Sequence, residues 1–359
     1  MLGKLGVTCT LVVAAGLVVG LSRPVAATPI SVYGTWHCGS DFCTWASVRD
    51  MTEFDQKNHW IIDRGNGQPS VNIVVLSFVH PVRLMNRVND AQTVGGVPIG
   101  MNQAVVDYFK TRGIRVMLSI GGITYTDAWN QALDTDPVGL AMAASDAANR
   151  LGVGIEIDYE ENSSPRLAAL QTFVDNYRAL HPYDPTGSDP TARLTIDLAA
   201  GDRWLIDIAR KATSDWLATA TPVLDYANAM VPSRQPNSAS TAQSNWQEHV
   251  DGKPQYSPPI LPLAPAKFTG SLYIVTGNRA APECVNFATS LEKSTGTYVQ
   301  TVAPKTGSTS GMLGYMFWAA ECQGTRSICT TPPNSCEGGV GVGATTYAIP
   351  IPMPPLRQN

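Results

Sequence analysis

Charge is scarce in this chain. Asp, Glu, Lys and Arg make up 15% of its 359 residues and nearly cancel, at a net charge of −4. With no basic excess there is no electrostatic footprint for nucleic acid, which is excluded as a partner. The five histidines include no helical pair, and the cysteines form no Cys-x-x-Cys motif, so no metal and no other cofactor is expected. The glycine run from Gly338 to Gly343 follows the last strand-like segment instead of opening a helix, which argues against a nucleotide loop. A Ser-His-Asp constellation and internal repeats are also missing.

Long apolar runs are confined to the start. Lys4 precedes an apolar stretch from Leu5 to Leu21, and Val25, Ala26 and Ala27 form a small-residue cleavage site before Thr28. A bilayer-spanning helix takes about 20 apolar residues, so residues 1–27 are expected to be a signal peptide. The mature chain is then secreted, monomeric and free of membrane contact. Cys9 would leave with the signal peptide, and Cys38, Cys43, Cys284, Cys322, Cys329 and Cys336 would remain. An even number of cysteines suits an oxidising compartment. Short spacing favours Cys38 with Cys43 and Cys329 with Cys336, leaving Cys284 with Cys322. Asn162, Ser163 and Ser164 form an N-glycosylation sequon, with no occupancy expected beside acidic residues.

What is present is an alternation of strands and helices. Ile30–Trp36, Asn72–Phe78, Arg115–Ile120, Gly154–Tyr159, Leu194–Leu198, Tyr226–Met230, Leu272–Thr276 and Leu313–Trp318 read as eight strands. Helices read at Asn102–Thr111, Pro137–Leu151, Arg166–Leu180 and Arg203–Ala218. The second starts well, with Asp136 as N-cap and Pro137 first in the helix, and it stops at Gly152. Such alternation predicts an α/β protein, a single (β/α)8 barrel over residues 28–340. Val231–Lys267 reads as a long loop with one short helix around Trp246. Residues 341–359, with four prolines from Ala348 onward, read as an extended or disordered tail.

The most informative stretch is GVGIEIDYEEN, from Gly152 to Asn162. It sets Glu156, Asp158 and Glu160 at spacing two between Val153, Ile155 and Ile157. In a strand these three carboxylates share one face, with Asp158 about 6–7 Å behind Glu160. Burying like charges so close together keeps a proton on one of them near neutrality, as a general acid requires. In a parallel barrel the active site lies where such a strand ends.

GIEIDYE resembles the strand-4 signature of family 18 glycoside hydrolases, the chitinases and endo-β-N-acetylglucosaminidases. Its Asp-x-Asp-x-Glu ending stands here as Glu156, Asp158 and Glu160. VMLSIGG, with Ser119, Gly121 and Gly122, resembles the family's strand 3. DYANAM, with Asn228 and Met230, resembles strand 6, and GYMFWAAE, with Trp318, resembles strand 8. The resemblance implies that Glu160 is the acid and then the base, and that Asp158 orients the substrate's N-acetyl group. Glu156 would share protons with Asp158, and Trp318 would form the floor under the bound sugar. The substrate would be a polysaccharide or oligosaccharide containing N-acetylglucosamine.

This chain departs from the family pattern at three positions. Val153 stands for its leading aspartate, Glu156 for the next aspartate, and Pro232 for the strand-6 tyrosine. The first reading is a hydrolase of chitin or of N-glycan cores. The alternative is a catalytically silent glycan-binding barrel, which Pro232 favours and the retained Asp158 and Glu160 oppose. Trp36, Trp45, Tyr125, Trp129, Tyr159, Trp204, Trp246 and Tyr315 are sugar-stacking candidates, though core packing is the commoner fate of such rings. Gly277–Met312 is too short for the wall-forming insertion many relatives carry between strands 7 and 8, so no large insertion domain is expected. An open groove and internal cuts follow.

Overall fold

The computed structural model describes residues 30–38, 45–63, 67–217, 222–230, 239–273, 302, 311–318 and 351–356. The expected signal peptide, every cysteine except Cys38, Pro232, and nearly all of Gly277–Met312 lie outside the described residues.

Eight strands close a barrel: β1 (Val32–His37), β2 (Ile73–Val79), β3 (Arg115–Gly121), β4 (Gly154–Asp158), β5 (Leu194–Leu198), β6 (Tyr226–Ala229), β7 (Phe268–Tyr273) and β8 (Gly314–Trp318). Each pairs in parallel with the next, and β8 returns to β1 through Val32 opposite Gly314. The helices are α1 (Met51–Ile62), α2 (Pro81–Met85), α3 (Gln103–Lys110), α4 (Thr126–Thr135), α5 (Pro137–Leu151), α6 (Leu167–Leu180), α7 (Ile206–Lys211) and α8 (Ala239–Asp251). A two-stranded hairpin pairs Thr93 and Val94 with Pro98 and Val97. The predicted (β/α)8 architecture is the observed one.

The strands are hydrophobic on both faces because both are covered. Leu76, Leu118, Ile120, Ile155, Ile157 and Ile196 point outward into the main core, with Phe109, Leu140 and Phe173 of the helices. Burying each such side chain contributes about 1.5–3 kcal/mol. The opposite face is layered. At the foot of the barrel Val32, Ile73, Val75, Met117, Tyr226 and Met316 make a second, inner cluster. Above them the inward positions turn polar, with Ser119, Glu156, Thr195, Asp197, Asn228 and Thr269, all buried. Period-two alternation therefore delivers Ile155 and Ile157 to the helices and Glu156 and Asp158 to the interior.

Local chemistry explains the helix ends. The Asp136 carboxylate accepts the Gly139 N–H at 2.8 Å, Pro137 opens α5, and Gly152 closes it at φ 65°. Asp50 caps α1 by accepting the Thr52 and Glu53 N–H groups. Several segments differ from expectation. β7 starts at Phe268, four residues before the predicted strand, because its inward residues are the small polar Thr269 and Ser271. Gly270 faces outward, where a Cβ would lie 2.5 Å from the Trp246 ring. These residues carry no apolar period for a reader to find. The helix expected around Trp246 is longer, spanning 13 residues. The helix expected over Arg203–Ala218 starts only at Ile206, because Leu205 is left-handed at φ 53°, and it ends in a π-helical turn at Ala212–Trp216. α1 and α4 have polar-rich sequences and were not expected.

Residues 351–356 pass under the barrel. Met353 and Leu356 are buried in the inner cluster with Val32 and Met117, a burial that proline-rich composition does not announce.

Candidate active site

β4 ends at Asp158, and the chain reaches Glu160 two residues later, at the rim. Two neighbours hold that end. The Asp158 backbone carbonyl accepts the Gly122 N–H at 3.0 Å and the Trp129 indole N–H at 3.1 Å. Trp129 also donates to the Ile120 carbonyl. So close a crossing of β3 and β4 requires glycine. At Gly121 φ is 120°, and a Cβ would stand 1.9 Å from the Asp158 carbonyl oxygen and 2.2 Å from the Trp129 nitrogen. At Gly122 a Cβ would press on the Phe78 ring at 3.0 Å. The SIGG motif thus acts on the site through backbone geometry.

The carboxylates form a graded column. Glu156 lies deepest and is fully buried. Its Oε1 accepts the Trp36 indole N–H at 2.8 Å, and its Oε2 accepts the Asn228 amide at 2.8 Å. Burial pushes its pKa up to about 7, against the pull of the Trp36 and Asn228 hydrogen bonds. Asp158 is raised well above the usual carboxylate range, by burial first, then by Glu160 and Glu156. Its Oδ1 is buried and makes no hydrogen bond among the described residues. Glu160, half-buried, is pushed to about 7 by burial, with the Ile123 backbone N–H opposing. An outer acid holding a proton near neutrality thus stands over an inner carboxyl with one oxygen free.

The other predicted residues fall around this column. Asn228 sits on β6 opposite Asp197 in register, with its carbonyl oxygen accepting the Thr269 hydroxyl at 2.6 Å. Met230 follows β6 and lies half-buried, its N–H bonded to the Leu198 carbonyl. Trp318 ends β8 half-buried, stacked on Phe78 with ring centroids 5.6 Å apart at 22°, and 6.3 Å from Trp36. Trp36 is buried, its polar edge committed to Glu156. Val153 is buried in the main core. Of the other aromatics, Trp45, Trp129, Tyr159, Trp246 and Tyr315 are buried core, while Tyr125 and Trp204 are half-exposed.

The histidines have other partners: His37 with Asn58, His80 with the Arg83 N–H, and His181 with Ser145 and Thr191. Among the described residues no group of His, Cys, Asp and Glu is arranged to hold a metal ion. A surface cavity of about 810 Å³, lined by Gln247, Gly252 and Pro259 among others, includes none of the carboxylates.

Sequence reasoning missed one charged member. Asp197, on β5, is buried and accepts the same Asn228 amide at 3.0 Å. LTIDL, with an acid at an inward position two after Thr195, carried the signal. Phe78, beneath Trp318, was also missed.

No protein-family model matches the chain, and no curated protein sequence does. Solved structures resemble it. A GH18 chitinase from Pseudoalteromonas aurantia has a TM-score of 0.50 at 15% identity, over 80% of this chain and 94% of that one. A GH18 chitinase from Cycas revoluta in complex with allosamidin gives 0.49 at 13% identity, over 80% and 94%. Chitinase ChiC from Aspergillus fumigatus gives 0.48 at 12% identity, over 82% and 93%. The likeness to the Pseudoalteromonas enzyme is one of fold: this chain has the barrel of GH18 chitinases.

Proposed function

We propose that the chain is a secreted glycoside hydrolase that cleaves β-1,4-linked N-acetylglucosamine glycans, chitin or chitooligosaccharides, with retention at the anomeric carbon. The observation that carries this reading is the pairing of Glu160, poised near pH 7, with the unpartnered buried oxygen of Asp158 beneath it. Glu160 donates its proton to the glycosidic oxygen. The acetamido oxygen of the sugar attacks the anomeric carbon as the leaving group departs, so no protein nucleophile is required. Asp158 accepts the acetamido N–H on its free oxygen and, ionised, stabilises the positive charge of the cyclic intermediate. Glu160, now a carboxylate, takes a proton from the water that opens that intermediate. Trp318, half-exposed and backed by Phe78, presents an aromatic floor to the sugar ring.

Hydrolysis of N-acetylchitohexaose, followed by mass spectrometry and proton NMR, tests the reading. The β-anomer should form first, and mid-chain cleavage should give mixed product lengths, as an open groove implies. No turnover, or the α-anomer first, would overturn it. Binding without turnover would instead establish the glycan-binding alternative, which Pro232 favours because proline has no hydroxyl to offer the acetamido group. Secretion is supported by the residue 1–27 pattern and by the even number of cysteines that would remain once it is removed. N-terminal sequencing of exported protein should begin at Thr28.

A further inference from the structure

Asp197 adds a fourth carboxyl to the column and is buried on β5. One side-chain amide, that of Asn228, reaches both Asp197 Oδ1 at 3.0 Å and Glu156 Oε2 at 2.8 Å. The Thr269 hydroxyl on the Asn228 carbonyl oxygen fixes which end of the amide faces them. Trp36 occupies the other oxygen of Glu156. The replacement of aspartate by glutamate at position 156 now has a physical account: the extra methylene carries the carboxyl toward β5 and β6, where Asp197 and Asn228 are.

The charged and titratable groups around this pair are few. Glu156, Asp158 and the Asn228 amide act on Asp197. Trp36, Ser119, Asp197 and Asn228 act on Glu156, and the Tyr226 phenol on β6 faces it. None is a cation. Two carboxylates brought together in a dry interior without a counter-ion do not both ionise.

We propose that Asp197 is a positioning residue that, with Asn228, holds one proton in common with Glu156 and so leaves Asp158 to serve Glu160 and the substrate. This proposal rests on the hydrolase reading above for its catalytic consequence only. The shared proton spreads a single negative charge over two carboxyls, one of them on the strand beyond Glu156. Asp197→Asn removes the shared proton and places the whole charge on Glu156. Glu156 and Glu160 are the groups that raise Asp158, so Asp158 then ionises less readily.

Carbon-13 NMR of the full chain labelled at glutamate and aspartate carboxyls tests this, with resonances assigned from Glu156→Gln and Asp197→Asn. In the wild-type chain Glu156 and Asp197 should titrate together, with the same two apparent pKa values. Independent titration of the two would overturn the proposal without any variant having to fold. In Asp197→Asn, Glu156 should titrate at least about one pH unit lower, now that it accepts only donors. The acid limb of kcat/KM should move up by about one unit. An unchanged Glu156 titration overturns the shared proton, and a lower kcat with an unmoved acid limb reduces Asp197 to packing. If the chain hydrolyses nothing, the hydrolase reading fails while the NMR titration still decides the shared proton.

Discussion

Replacing Glu160 with glutamine exchanges a carboxyl for an amide of nearly the same size and removes the proton that the reaction consumes. With a pKa of about 7, roughly nine-tenths of wild-type molecules carry that proton at pH 6, and roughly one-tenth at pH 8. Positioned general acids contribute ~10²–10⁴ in rate, which is ~3–5 kcal/mol of barrier. Glu160→Gln should therefore lose at least two orders of magnitude in kcat on N-acetylchitotetraose at pH 6, with binding nearly intact. A fluorogenic umbelliferyl chitooligoside, whose phenolate leaves with less help, should lose about tenfold less. The alkaline limb near pH 7 should vanish from the residual activity. The acid limb should also move down, because Glu160 is the first of the charges that raise Asp158. Initial rates from pH 4 to 9 on both substrates make the assay. Residual activity above a tenth of wild type on the tetramer, or an alkaline limb still near 7, would refute the assignment.

Three further outcomes follow from the same geometry. Glu156 has a folded-state pKa of about 7, above its unfolded value, so its contribution to stability is full below about pH 4.5 and is lost as pH rises through 7. Glu156→Gln, which does not titrate, should gain on the wild type by up to about 3 kcal/mol between those limits; urea melts at pH 4.5 and 8 showing an equal difference would exclude this. Gly121→Ala drives a Cβ to 1.9 Å from the Asp158 carbonyl at φ 120°. The cost should be about 4 kcal/mol or more with activity lost, and a melting temperature within about 2 °C of wild type would contradict it. Trp318→Ala should raise KM on chitooligosaccharides about tenfold or more while the melting temperature changes little, since the ring is half-exposed; unchanged KM would remove Trp318 from the sugar floor.

How legible the molecule was depended on whether one residue's signal could be read alone. β4 was legible because Ile155 and Ile157 alternate with Glu156 and Asp158, and α5 because Asp136, Pro137 and Gly152 mark its ends. β7 was not, because Thr269 and Ser271 face a polar interior and Gly270 yields to Trp246. The period that reports a strand is a contrast between faces, and here the contrast is absent. α7 was misread at its start because Leu205 is left-handed, a conformation only its neighbours impose. In the site, Glu156, Asp158 and Glu160 were visible as a local motif. Asp197 was not, because it becomes part of the column only when β5 and β6 lie beside β4. The hydrogen bond from the Asn228 amide to Glu156 was hidden for the same reason, since it joins β6 to β4.

The passage of Met353 and Leu356 beneath the barrel bears on how the chain is made. β1 and β8 meet at closure, where the Thr35 hydroxyl bonds the Phe317 carbonyl across 282 positions. The inner cluster is complete only when residues 351–356 also reach Val32 and Met117. A chain emerging residue by residue from a ribosome or a translocation pore cannot finish this interior early. Its first strand waits for its last, and the foot of the barrel waits longer still. Contacts this distant in sequence make for slow assembly and a long-lived unfinished state. A chain cut short before residue 351 would have all eight strands and still lack the underside of its inner core.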